Sequence, residues 1–211
     1  RKNVKQQFAL RVLSTAALMA TVSSIATAAF ADTYDLTKGS VDILAEGGKQ
    51  YITQWEDKGN DTCVKDGEGK EIRDREDSDI TLTTKDETTD ETKTTSNTVT
   101  ITAEDGNTAN VTLQDVDIRQ PDSYWSGNTD PAPIEIKGNG DTNLELNGNN
   151  TVLSGNKKHA GIEKADVNGT GTLTIKDDVN DNGKLLAGGY DSGAGIGGGD
   201  GEFADTSNIT I

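Results

Sequence analysis

The chain has 211 residues, of which 36 are Asp or Glu and 20 are Lys or Arg, for a formal net charge of −16. A surface this acidic repels nucleic acid and anionic lipid, so nucleic-acid partners are excluded. A single cysteine, Cys63, and a single histidine, His159, exclude an intrachain disulfide and a thiolate zinc site, and no nucleophile motif surrounds either residue.

In chain order, Arg1, Lys2, Lys5 and Arg11 precede an apolar, small-residue stretch from Val12 to Ile25, and Ala29-Phe30-Ala31 follows before Asp32. Basic, apolar and A-x-A regions in that order predict a signal peptide over residues 1–31. The apolar stretch is interrupted by Ser14, Thr15, Thr21, Ser23 and Ser24 and is too short to span a bilayer. Its removal takes away four cations and no acids, so −16 becomes −20. The expected product is secreted or held at the cell surface, with no membrane insertion after cleavage.

Residues 32–79 contain "YDLTKGSVDIL" and "QYITQW", whose alternation reads as strands. They are assigned to an N-terminal cap and first strands, because the end of a strand stack exposes unpaired backbone groups that need cover. "KDETTDETKTTSN", residues 85–97, is too polar to bury and is expected to be a mobile insertion loop.

Leu, Ile, Val and Phe make up less than a fifth of residues 32–211, a composition that by itself reads as disorder. Their positions argue otherwise. From residue 80 onward the aliphatics fall in period-2 pairs, "ITL", "VTI", "VTL", "IEI", "LEL", "LTI" and "ITI", each closed by Gly, Asn or Asp. Leu82, Leu113, Leu146, Ile175 and Ile211 end equivalent pairs at intervals of roughly 30 residues. Ala132, Ala160 and Ala194 each stand two before Ile134, Ile162 and Ile196. A third series runs through Val116 and Ile118, Val152 and Leu153, and Leu185 and Leu186. Three strands per repeat of about 30 residues predict an all-β, right-handed parallel β-helix over residues 80–211, whose core is a thin column of stacked inward side chains. Ile211 would be the inward residue of a rung just begun, so the expectation is a chain truncated at its C-terminus.

Within this frame "SGAGIGGGDG" is the third copy of the A-x-I strand. Gly193-x-Gly195-x-x-Gly198 has the spacing of a phosphate cradle, but no helix follows to face a phosphate. The glycines are read as serving tight turns and close backbone packing.

"ANVTLQDVDI", "LELNGNNTVLSG", "AGIEKADVNGTGTLTI" and "GKLLAGGYDSGAGIGGG" resemble the repeats of exported surface proteins of Gram-positive bacteria with a pectate-lyase-like right-handed β-helix. The resemblance covers residues 98–211, and loosely residues 34–97. It implies export, the same fold, and a carbohydrate-binding or adhesin-like role.

Enzymes on this fold pair carboxylates or use an Asp cluster with a basic residue. Asn128 to Asp130 and the pair Asp177 and Asp178 are fragments of such signatures, but they lie about a coil apart, and Arg119 is the only arginine after residue 75. A catalytic site does not assemble from them, and the expectation is no enzyme.

Two binding features stand out. "DVNDNG" puts Asp178, Asn180 and Asn182 at the first, third and fifth places of a calcium loop, with Gly183 at the sixth. Gly189 replaces the bidentate Glu at the twelfth place, so the expectation is an Asn/Asp turn, with Ca²⁺ binding weak if it occurs. The turn "QPDSYWSGNTDPAP" carries adjacent Tyr124 and Trp125, which cannot both face one core. An exposed ring there, beside Asp122, Asn128 and Asp130, is equipped to stack on a sugar; the alternative is a ring folded back over the side of the helix as a lid. The functional expectation is a non-catalytic adhesion or glycan-binding module with an extracellular or cell-wall glycan as partner. The alternatives are a structural stalk for a distal domain and, behind it, a polysaccharide lyase or hydrolase.

Overall fold

The computed structural model describes residues 32–122, 131–164, 169–179, 181–199 and 207–211; the signal peptide expected over residues 1–31 lies outside them. In chain order the strands are β1 (Thr33–Asp35), β2 (Ser40–Glu46), β3 (Lys49–Asp57), β4 (Thr62–Cys63), β5 (Arg75–Glu76), β6 (Ile80–Thr83), β7 (Val99–Ala103), β8 (Thr108–Gln114), β9 (Asp117–Arg119), β10 (Ile134–Lys137), β11 (Asp141–Asn147), β12 (Asn149–Lys157), β13 (Ile162–Lys164), β14 (Leu173–Lys176), β15 (Lys184–Tyr190), β16 (Ile196–Gly197) and β17 (Ile209–Thr210). A 3₁₀ turn at Leu36–Lys38 links β1 to β2.

The strands form three sheets. The first runs β1-β6-β8-β11-β14-β17 and the third β15-β12-β9, all parallel. The second runs β16-β13-β10-β7-β2 in parallel and then adds β3 to β5 antiparallel. The chain visits the first, third and second sheets in turn, completing the circuits β8 to β10, β11 to β13 and β14 to β16. The protein is an all-β parallel solenoid.

The inward ladders follow from period-2 alternation, which turns every second side chain toward the axis. Val41, Val99, Ile134, Ile162 and Ile196 pair in register through the second sheet, the first four fully buried. Leu82, Leu113 and Leu146 do the same in the first sheet. There the expected series slips, because Ile175 pairs with Leu144, two positions earlier. The chain leaves the sheet after Lys176, and the Asp177 carboxylate accepts from the Gly183 N–H at 2.8 Å, with Gly183 packed against Leu146. Ile209 pairs with Leu173, which sets Ile211 on the inward side of its strand, and with no described rung beyond it Ile211 is 82% exposed.

The third series also needs correction. Ile118, Val152 and Ala187 stack inward, but Leu153 and Leu186 face outward, Leu186 being 59% exposed. Leu185 pairs with Asn150, which is buried. The Asn150 amide accepts from the Val116 N–H (3.1 Å) and donates to the Asn147 and Lys184 carbonyls (3.1 and 3.3 Å), so its polar atoms are satisfied by three successive coils.

Residues 33–46 already belong to the parallel stack, and the antiparallel strands β3 to β5 are laid against its β2 edge. A Tyr34 hydroxyl bond to Asp77 (3.0 Å) ties β1 to that layer. The insertion at 85–97 is closed on itself by a Lys85–Thr92 bridge and an Asp86–Lys93 ion pair, and its end returns to the solenoid at Thr95, which pairs with Ile118. In the glycine run, a Cβ at Gly193 would lie 2.0 Å from the His159 carbonyl oxygen, so close coil-to-coil approach accounts for that residue.

Candidate functional site

The outward face of the second sheet is where the antiparallel layer and the solenoid present one surface. The alternation that buries Val41 and Ile43 turns Ser40, Asp42 and Leu44 outward, and β3 turns Tyr51, Thr53 and Trp55 the same way. Register then writes rows across the strands. One row is Thr53, Asp42, Thr100, Glu135 and Glu163, and beside it runs Tyr51, Leu44, Thr102 and Lys137. Neighbours along a row stand one strand spacing apart, about 4.8 Å. Tyr51, Trp55, Asp42, Thr100, Pro131, Glu135 and Lys137 are among the residues lining an open groove of about 510 Å³ on this face.

Trp55 is held from two sides. Its indole N–H donates to Asp42 Oδ2 at 2.8 Å, and the Arg73 guanidinium lies 5.2 Å from the ring centroid, in cation–π range. Arg73 is itself fixed by Asp61 (2.9 Å), and Asp42 by Lys58 (2.7 Å). The ring is thus pre-set against the groove, which lowers the ordering cost of stacking a ligand on it.

Toward the later coils each acid of the row has a partner of its own. Lys137 pairs with Glu135 at 2.7 Å. His159 Nδ1 lies 3.0 Å from Glu163 Oε2, which also accepts from the Ala160 N–H at 2.9 Å. The bond to Glu163 outweighs the opposing effect of burial and, with the Glu163 and Glu135 charges, raises the His159 pKa above its ordinary value. Of the acids lining the groove, Asp42 and Glu135 are ion-paired with Lys58 and Lys137, and Asp74 accepts from the Thr53 hydroxyl at 3.2 Å.

Of the residues expected to contact glycan, Tyr124, Trp125, Asn128 and Asp130 lie outside the described residues. Asp122, at the root of their loop, accepts from the Tyr190 hydroxyl at 2.8 Å. Of the three expected calcium ligands, Asn180 lies outside the described residues, and Asp178 and Asn182 serve separate contacts. Asp178 pairs with Lys176 (2.8 Å), while the Asn182 side-chain carbonyl accepts from the Gly148 N–H (3.1 Å). Among the described residues no group of three or more His, Cys, Asp or Glu side chains could hold a metal ion. Asp177 is committed to the Gly183 turn, and Cys63 is buried, which raises its thiol pKa rather than activating it.

Sequence reading missed Tyr51 and Trp55 as site residues by placing them in a cap. The signal was present in "QYITQW", where a strand's period of two sets Tyr51, Thr53 and Trp55 on one face.

Comparison with known protein families, with curated proteins and with solved structures finds no match to this chain in any of the three. Among the described residues no helix is long and apolar enough to cross a membrane.

Proposed function

We propose that this chain is a non-catalytic module of an exported, pectate-lyase-like bacterial surface protein, and that it contacts an extracellular or cell-wall glycan. The observation that carries the reading is the pre-set Trp55 ring beside Tyr51 in an open groove floored by a row of hydroxyls and carboxylates. An aromatic face takes the apolar face of a pyranose while polar groups one strand spacing apart meet its hydroxyls. The overall negative charge disfavours polyanionic glycans, and the paired charges in the groove suit a neutral one.

The test is retention of the purified protein on affinity gels containing neutral polysaccharides, with Trp55→Ala and Tyr51→Ala compared with Tyr124→Ala and Trp125→Ala. Loss in the first pair at unchanged stability supports the groove. Loss confined to the second pair moves the site to the loop at 123–130.

The stalk reading draws on one observation of its own, the in-register ladders that continue from β2 to β16 through the second sheet. Such a continuous stack is suited to holding another domain at a distance. Absence of retention for the wild type would shift the proposal to that role.

A further inference from the structure

Across Pro131 from the Trp55 groove lies a second cavity, of about 290 Å³, lined by Ser40, Ser96, Thr98, Gln120 and Asn156 between two prolines. The two cavities share Pro131, and Ser40 is the cross-strand partner of Trp55, so they are contiguous along the sheet. Charged residues make up 27% of the chain, and the described lining of this cavity has none.

Its polar groups are also fixed in place. Asn156, 2% exposed, donates from Nδ2 to Gln120 Oε1 (3.1 Å) and to the Pro131 carbonyl (3.2 Å). Gln120 Nε2 donates to the same carbonyl at 2.8 Å, and Ser40 Oγ accepts from the Thr98 N–H at 3.1 Å. A ligand entering here meets hydroxyls, amides and proline rings held at set positions. Neutral hydroxyls can exchange hydrogen bonds with such a lining, whereas a carboxylate or ammonium would lose water without gaining a counter-charge from the described lining.

We infer that this cavity is a sugar subsite contiguous with the Trp55 groove, and that it admits an uncharged pyranose unit while rejecting uronic acids and amino sugars. The inference rests on the glycan reading and adds to it a selectivity and the residues that set it. The lever is Ser96, which is exposed and lines the cavity. A charge placed there alters the lining without disturbing the core.

Calorimetry with linkage-matched oligosaccharides of neutral hexose, hexuronate and hexosamine tests it. The wild type is expected to bind the neutral oligosaccharide at least tenfold more tightly than either charged one. Ser96→Lys is expected to narrow the gap for the hexuronate, and Ser96→Asp the gap for the hexosamine, each by several-fold. Equal wild-type affinity for the three sugars, or gaps unmoved by both substitutions, overturns the subsite and leaves glycan binding standing. No heat with any of the three overturns the glycan reading and the subsite with it.

Discussion

His159 is the chain's only histidine and sits in the turn before β13 with its ring on Glu163. Its pKa is raised in the folded protein, so the contact contributes stability that is fully present below the unfolded value of about 6.5 and is lost as pH rises through the higher folded value. An NMR titration of the imidazole, unambiguous with one histidine, should give a midpoint above that of an unstructured peptide, and Glu163→Gln should lower it. A midpoint at or below the peptide value would contradict the pairing. Ile162, one residue before Glu163, makes the opposite demand. It is fully buried in the second-sheet ladder, and Ile162→Asp would place an uncompensated charge there at a cost of several kcal/mol. Chemical denaturation should show the variant unfolded or severely weakened; a stability equal to wild type would contradict the inward ladder.

At the scale of strands and turns, coil-to-coil packing leaves no room for side chains at certain corners. Gly171, just before β14, lies against Gly140, just before β11, and a Cβ at Gly171 would fall 1.9 Å from the Gly140 carbonyl oxygen. Gly171→Ala should therefore destabilise by about 1–3 kcal/mol, the range of overpacking, read as a lower urea midpoint. An unchanged midpoint would mean that the coils can spread there. The same scale shows what could be read from sequence. The A-x-I series was legible because Ile134, Ile162 and Ile196 occupy one inward position in short strands with no bulge between them. The Leu series was legible only to Leu146, because the following strand ends two positions early and a hydrogen-bonded Asp–Gly turn replaces the next apolar residue. Asn150 was illegible as a ladder position, since polarity marks it as a turn residue while backbone groups of neighbouring coils supply its partners. Tyr51 and Trp55 were legible as a strand face, but that this face joins the solenoid's outer rows depends on the antiparallel pairing of β2 with β3, which periodicity alone does not specify.

Across the whole molecule, ion pairs between well-exposed side chains, such as Lys49 with Glu76 and Lys176 with Asp178, add little to stability. Stability rests instead on the aliphatic column inside the three sheets, which frees the outer faces to vary. On and beside the second sheet that freedom is used to place a clamped tryptophan, a tyrosine, paired acids and a cavity whose described lining carries no charge along one line. The central claim is that this line is a glycan groove. The most direct measurement is a crystal structure of the protein soaked with a neutral linear oligosaccharide. The account predicts a pyranose ring stacked on Trp55, with the sugar chain crossing the strands toward Pro131. Sugar bound elsewhere with the Trp55 groove empty, or crystals that take up no sugar while the groove is open to solvent, would contradict it.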